Sequence, residues 1–448
     1  MENCSNDNFQ VIIKRIMTTM KKPHILVVPF PQSGHMLPHL DLTHQLLLRG
    51  ATVTVLVTPQ TDPYLDPLRS LHSPEHFKTL VLPFPSHPSI PSGVETLQQL
   101  PLEALPHMLE ALSGLHDPLV DFLNHQPPWA LPDVILGGAF LSPWINKAAD
   151  AFSLKSIYFL PINAHMISIL WDVEHRSFFD EMEAATTASY GLVVNTFYEL
   201  ESEMVEFVRT KYLTHHRIWT VGPLLAVKAG ADRGGQSSLP AEKVLAWLDA
   251  CSEDNSVVYI AFGSQIRLTE EQTAALAAAL EASGVRFIWA VRDAAKKVNS
   301  GDNSEEDVMP AGFEERVKDK GLVIRGWAPQ TMILGHRAVG SYLTHLGWGS
   351  ALEGMVGGVV MLAWPMQADH FSNAEMLVDE LGVAVRVGEN KDSVPDSGKL
   401  ARVLADSVKD DFPVRARFMK LREKGMEAIK EGGSSYNNLD DLVAEMCV

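Results

Sequence analysis

His35 stands in the turn-forming sequence Pro31-Gln32-Ser33-Gly34-His35, just after the apolar run HILVVPF (24–30). A neutral imidazole at the end of a buried strand can take a proton from a hydroxyl near neutral pH, which is the work of a general base. A histidine bonded to turn backbone is the plainer alternative, and with 17 histidines in the chain most have structural places. A second concentration of reactive side chains lies in 327–370. It opens Trp327-Ala328-Pro329-Gln330, runs through His345, Gly347, Trp348, Gly349 and Ser350 to Glu353, and ends Asp369-His370. Gly347, Trp348 and Gly349 make a tight turn between a buried strand (339–344) and a helix expected from about Ser350. Amides at a helix start, beside glycines that permit close backbone approach, form an anion site. Trp327 adds an aromatic platform and Glu353 a carboxylate. Asp369 and His370 follow the apolar run VVMLA (359–363), and open α/β sheets bind ligands beyond the carboxyl ends of their strands. Each residue alone has a plainer reading. Trp327 reads as a core aromatic, Ser350 with Glu353 as a capping box, and Ser264 in FGSQ (262–265) as a strand-end turn. Their joint spacing favours function. No Asp-x-Asp occurs, so a metal-held diphosphate has no sequence support.

The elements that must hold these residues alternate. Buried-type strands are expected at 24–30, 51–59, 190–197 and 217–224, a strand and loop at 133–144 before a helix to about Phe152, and a strand ending in a turn at 155–165, with a turn over 31–39 and a helix over 40–50. Residues 60–130 mix apolar runs with prolines and histidines and suggest loops and helices over a sheet. The segment 225–240 is rich in Gly, Ser and Ala, as a linker is. Strands then recur at 256–264, 286–292, 322–327, 339–344 and 359–363. A helix at 269–284 has a Thr269-x-x-Gln272 box and Gly284 beyond its end. Helix then strand follow over 377–388, and helices from about Lys399 to the acidic end 439–448. Strand–helix–strand alternation predicts parallel sheets.

Composition narrows the class. Hydrophobic residues at 46% and charged residues at 21% describe an ordinary globular chain, and 448 residues imply two or more domains. A net charge of −18 argues against general binding of nucleic acid or anionic membrane. Cys4, Cys251 and Cys447 are too few and too scattered for a disulfide frame or a metal site, so a reducing compartment fits. No apolar run has the length of a membrane span. Residues 1–22 lack the apolar core of a signal peptide, so they are expected to be disordered, with the fold beginning at Pro23 and Met17 or Met20 as other possible starts.

The stretch 327–370 resembles the signature box of the plant secondary-product UDP-glycosyltransferases, in length and in fixed residue types. The resemblance implies the GT-B architecture: two Rossmann-like domains with parallel sheets facing a cleft. Its boundaries would be an acceptor-binding domain at 23–224, a linker at 225–240 and a UDP-sugar-binding domain at 241–448, with the last helix packing back on the first. It also implies a cytoplasmic, monomeric, inverting enzyme without cofactor, whose UDP-sugar is a co-substrate. Carried over residue by residue, Trp327 stacks on uracil, and Ala328 and Gln330 contact base and ribose. Glu353 holds the ribose hydroxyls. His345, Ser350 and Ser264, with the turn Gly347-Trp348-Gly349, meet the phosphates. Asp369 and His370 grip the sugar. His35 matches the family's catalytic histidine, with Ser33 and Gly34 beside the donor, and Phe140 and Met166 face the acceptor.

Departures from the family pattern sharpen the expectation. Leu346 replaces a usual Cys, Val360 a Pro and Gly349 an Asn. His370 stands where glucose users have Gln. The Asp that supports the base in many relatives has no counterpart, since Leu136-Gly137-Gly138-Ala139-Phe140 offers none. Pro161-Ile162 stands where glucosyltransferases often place Ser or Thr for the sugar 6-hydroxyl. An apolar wall suits the methyl of a 6-deoxy sugar and would leave a hydroxyl unpaired, although packing of the strand end alone would also explain it. From Pro23 onward the chain resembles the flavonol 7-O-rhamnosyltransferases of crucifer plants. That implies transfer of rhamnose from UDP-β-L-rhamnose to a flavonol 7-hydroxyl. The alternatives are a flavonoid glucosyl- or galactosyltransferase of the same fold, or a catalytically impaired UDP-sugar- or flavonoid-binding protein.

Overall fold

The computed structural model describes residues 22–172, 177–227, 237–291 and 309–447. The expected N-terminal extension, most of the expected linker and the polar stretch 293–310 lie wholly or largely outside these residues.

Two parallel sheets organise the chain. The first contains β1 (His24–Val28), β2 (Thr52–Val57), β3 (Phe77–Val81), β4 (Val134–Gly138), β5 (Lys155–Leu160), β6 (Gly191–Val194) and β7 (Ile218–Thr220), in the order β3-β2-β1-β4-β5-β6-β7. The second contains β8 (Val257–Ala261), β9 (Arg286–Val291), β10 (Gly321–Arg325), β11 (Val339–Thr344), β12 (Val360–Ala363) and β13 (Ala384–Arg386), in the order β10-β9-β8-β11-β12-β13. The inner strands of both sheets are apolar on both faces because helices cover both sides of a parallel sheet. Alternate residues feed separate cores. Leu26 and Val28 pack with Ile135 and Tyr158, while Ile25 and Val27 pack with Val53 and Leu136. In the second sheet Val258 and Ile260 face one layer and Val257 and Tyr259 the other.

Strand order reverses between β1 and β4, and again between β8 and β11. A crevice opens beyond the carboxyl ends of the strands at such a reversal. His35 follows β1, Phe140 follows β4, Ser264 follows β8 and Trp348 follows β11.

The structure corrects two expectations. The stretch 31–39 is not a turn before a helix at 40. One helix, Ser33–Leu48, begins with Ser33 and contains Pro38. Gly34 and Pro38 read as turn residues in sequence. Pro38 lies in the second turn, where it removes the bond to the Gly34 carbonyl and crowds that carbonyl with its ring, and the helix nevertheless continues through it. In addition, β3 lies within 60–130, where no strand was expected. It is an edge strand with three exposed residues, Lys78, Thr79 and Val81, so it lacks a clean apolar alternation. The Thr269–Gln272 capping box is formed, and Gly284 closes that helix at φ +67°.

The halves touch directly. The final helix, Ser434–Met446, sets Leu439, Leu442 and Met446 against the core of the first sheet. Asp441 there accepts the Trp219 indole N–H at 2.7 Å. The Trp348 indole donates across the cleft to the Asn195 carbonyl at 2.7 Å. No helix among the described residues is long and apolar enough to cross a membrane.

Candidate active site

A cavity of about 910 Å³ lies between the two sets of strand ends. From the first half it is walled by Ser33, Gly34, His35, Phe140, Pro161, Ile162 and Met166. From the second half it is walled by Ser264, Trp327, Ala328, Gln330, Gly347, Trp348, Gly349, Ser350, Glu353, Asp369 and His370. Residues far apart in sequence thus share one space.

His35 sits in the first turn of the helix Ser33–Leu48. Its ring leans on Phe140, with centroids 5.0 Å apart, and on Phe30 at 5.4 Å. Burial lowers its pKa to about 3, and the neighbouring His39 adds to the shift. The imidazole is therefore neutral, the form a general base needs, although burial also weakens it as a base. The missing acidic partner has a steric explanation. Phe30 and Phe140 occupy the flanks of the ring, and a Cβ on Gly138 would already sit 3.3 Å from the Phe30 amide and 3.5 Å from the His39 ring. The Ser33 hydroxyl is buried without a hydrogen-bond partner, as befits a group kept for a ligand.

The expected Ser350–Glu353 capping box does not form. The helix Trp348–Gly357 starts two residues earlier, with Gly347 at its N-cap, so Ser350 lies inside the first turn. Gln330 organises this wall instead. Its amide nitrogen donates to Glu353 at 2.6 Å and to Ser350 at 3.3 Å, and its oxygen accepts the hydroxyls of Tyr342 at 3.0 Å and Tyr259 at 3.3 Å. Glu353 is thereby fixed at the cavity edge, where a carboxylate can accept from two vicinal hydroxyls. Among the described residues no Lys or Arg lines the cavity. A diphosphate here would be met by N–H groups of the helix start and by hydroxyls.

His345 does not line the cavity with the others. Its ring is buried beneath the turn, where a Cβ on Gly263 or Gly347 would come within 2.6 Å of it. Its centroid is 4.5 Å from that of His370, edge to face. Burial holds both rings at about 3, with His370 also lowering His345. The His370 Nδ1 accepts the Gln367 amide at 3.1 Å, so in the neutral ring Nε2 carries the proton, 3.9 Å from Asp369 Oδ1. Asp369 Oδ2 accepts the Trp348 amide at 3.0 Å and the Asn373 side chain at 2.8 Å. Burial raises the Asp369 pKa despite these donors.

At Gly349 an added Cβ would meet nothing within 4 Å. Gly349→Asn should therefore fold, with a Tm at or above that of the parent, because glycine in a helix costs about 0.5–1 kcal/mol relative to Ala. A Tm several degrees lower would mean that the first turn requires the glycine.

Sequence reading missed part of the wall. Leu97, Gln98, Leu102 and Leu105 come from short helical turns in 60–130, and Phe179 and Met182 from the helix Ser177–Thr187. The Gln98 Nε2 is buried without a partner. Prolines and short turns in that region leave no single apolar period to read. Among the described residues one group, His87, His107 and Glu110, brings three potential metal ligands together. None of the three walls the cavity. His87 Nδ1 accepts the Ser89 amide at 3.1 Å, which places the ring proton on Nε2, toward Glu110 at 3.1 Å. That is the geometry of a hydrogen bond to a carboxylate.

Residues 145–411 match the family model described as UDP-glucoronosyl and UDP-glucosyl transferase. A flavonol 7-O-rhamnosyltransferase of Arabidopsis thaliana is 78% identical over 432 residues, covering 96% of this chain and 99% of the relative. The crystal structure of A. thaliana UGT89C1 complexed with UDP-L-rhamnose superposes with a TM-score of 0.90 at 75% identity, over 96% of this chain and 100% of that one. The same enzyme complexed with quercetin gives a TM-score of 0.87 at 73% identity, over the same shares of each chain. Two parallel sheets meeting at one cleft, a family model matched over more than half of the chain, and similarity over nearly its whole length lead to one assignment: this protein belongs to the UDP-glycosyltransferase family and has its GT-B fold.

Proposed function

We propose that the protein transfers rhamnose from UDP-β-L-rhamnose to the 7-hydroxyl of a flavonol, with inversion at the anomeric carbon. The observation that carries this reading is the pairing, in one cavity, of the apolar Pro161-Ile162 wall with the polar pair Asp369-His370 and with His35. The similarity to a flavonol 7-O-rhamnosyltransferase and to an enzyme crystallised with UDP-L-rhamnose and with quercetin supports it.

In this reading the first half, 23–224, holds the acceptor against Phe140, Met166 and the leucines of the roof. The second half, 241–448, holds the nucleotide, with uracil on Trp327 and the ribose on Glu353. Asp369 accepts from sugar hydroxyls and His370 donates through Nε2–H. The sugar methyl rests on Pro161 and Ile162. His35 takes the phenolic proton as the phenol oxygen bonds to the anomeric carbon, and the bond to UDP breaks on the opposite face. The developing diphosphate charge falls on the N–H groups that begin the helix Trp348–Gly357 and on Ser350 and Ser264. We take the enzyme to work as a cytoplasmic monomer without metal or cofactor, in keeping with a chain that has no Asp-x-Asp.

The test is product mass after incubation with quercetin and either UDP-rhamnose or UDP-glucose. A glucose 6-hydroxyl on the apolar wall would lose its hydrogen bonds, so kcat/KM should favour UDP-rhamnose by about 10- to 100-fold. Equal use of both donors would reduce Pro161 and Ile162 to packing residues. UDP binding without product from either donor would favour the reading as a binding protein.

A further inference from the structure

We propose that Asn163 and Asn373 form an interdomain latch that positions Asp369 for the donor sugar, an inference resting on the sugar-gripping role of Asp369 above. The two residues are 210 positions apart, one after β5 and one after β12, and both side chains are fully buried. Asn163 Oδ1 accepts the Met166 amide at 2.7 Å and caps the helix Ala164–Asp172. That bond fixes the orientation of the amide, because a backbone N–H requires an oxygen. Asn163 Nδ2 is then the atom that crosses the cleft, donating to Asn373 Oδ1 at 2.8 Å. The orientation of Asn373 follows in turn. Its Nδ2 donates to the Leu346 carbonyl at 2.9 Å and to Asp369 Oδ2 at 2.8 Å.

Each amide thus has its oxygen accepting and its nitrogen donating within one buried network, and such networks hold a single geometry. Asp369 Oδ2 is committed to protein donors, and Oδ1 lies on the side of His370. Asn163 also directly follows Pro161-Ile162. The same loop is tied from behind by Glu201, whose carboxylate accepts the amides of Ala164 at 3.2 Å and His165 at 2.9 Å. One bond across the cleft therefore sets both sides of the sugar subsite: the apolar wall on the first half and the carboxylate on the second. Separation of the halves breaks this bond and leaves Asn373 held from its own half alone, so the network around Asp369 is complete only in the closed cleft.

The experiment compares Asn163→Ala, Asn373→Ala and Asp369→Ala in the full chain. It reads the KM for UDP-rhamnose, the inhibition constant of UDP and the Tm. Each Asn variant should raise the KM by about tenfold, the equivalent of one buried hydrogen bond. UDP inhibition should stay unchanged, because uracil, ribose and phosphates are held elsewhere. The double Asn variant should be no worse than the poorer single one. A purely structural role would lower Tm without separating KM from UDP inhibition. If Asn163→Ala fails to fold, Asn163→Asp keeps the cap, removes the bridging donor and carries the same expectation. A raised KM in Asp369→Ala with parental KM in Asn163→Asp and Asn373→Ala would overturn the latch alone. A parental KM in Asp369→Ala would overturn the sugar-grip reading and the latch with it. KM and UDP inhibition rising together in the Asn variants would also overturn it, since the loss would then concern the whole nucleotide.

Discussion

His35→Ala should lower kcat by about 10²- to 10⁴-fold, the usual worth of a positioned general base, and leave the KM for UDP-rhamnose near its parental value. The ring touches Phe30 and Phe140 at the edge of the cavity and makes no contact with the uridine wall. Its loss therefore removes the proton acceptor while the Trp327–Gln330–Glu353 side stays in place. A Tm within a few degrees of the parent would show that the fold is intact. The pH dependence gives a second readout. No carboxylate supports His35, and burial holds its pKa at about 3, far below the ordinary 6.5. Activity should not titrate near pH 6.5 as it would with a solvated histidine, and kcat/KM should stay flat from about pH 8 down to the onset of unfolding. A bound diphosphate, being anionic, draws the pKa back up and strengthens the base when donor is present. Parental turnover in His35→Ala would remove His35 from the chemistry, and an inflection near 6.5 would show the ring to be hydrated.

The legible and illegible parts of this molecule divide along physical lines. Runs such as HILVVPF and VGSYLT are apolar without interruption, so they read as strands of a doubly covered sheet, and they are. Most of the residues singled out in 327–370 do come together at one cavity wall, because strand ends and the turns after them place residues of fixed offset side by side. What failed was reading at glycine and proline. Gly34 and Pro38 suggested a turn, yet the chain runs helical through both. Ser350 and Glu353 matched a capping box, yet Gly347 lets the helix start earlier and Gln330 takes Glu353. His345 read as a phosphate contact, but its place under Gly263 and Gly347 depends on side-chain packing that spacing does not encode. The Asn163–Asn373 bond was invisible for a related reason. Each asparagine is unremarkable in its own segment, and its role exists only when two sheets meet.

The fold should become acid-labile well above the pH at which carboxylates protonate. His39, His345 and His370 are buried, and burial holds their pKa values at about 4, 3 and 3. In the unfolded chain each returns to about 6.5. Below that value the unfolded state binds three protons at these sites that the folded state refuses, and a further one at His35, so stability falls as pH falls. The three sites alone approach a loss of ~4 kcal/mol per pH unit once the unfolded histidines are fully charged. Glu201 and Asp369 act in the opposite direction. Burial raises both carboxyl pKa values, so they add stability as pH falls toward the unfolded carboxylate range, but they are two groups against the larger set of buried histidines. Tm should drop by about 10 °C or more between pH 7 and 5, and His39→Gln should make that drop shallower, since it removes a proton site that does not line the cavity. A Tm independent of pH over this range would mean that water reaches these rings. The neutral His370, with Nδ1 accepting and Nε2–H turned to Asp369, would then lose its physical basis, because only a dry pocket keeps that ring uncharged beside a carboxylate.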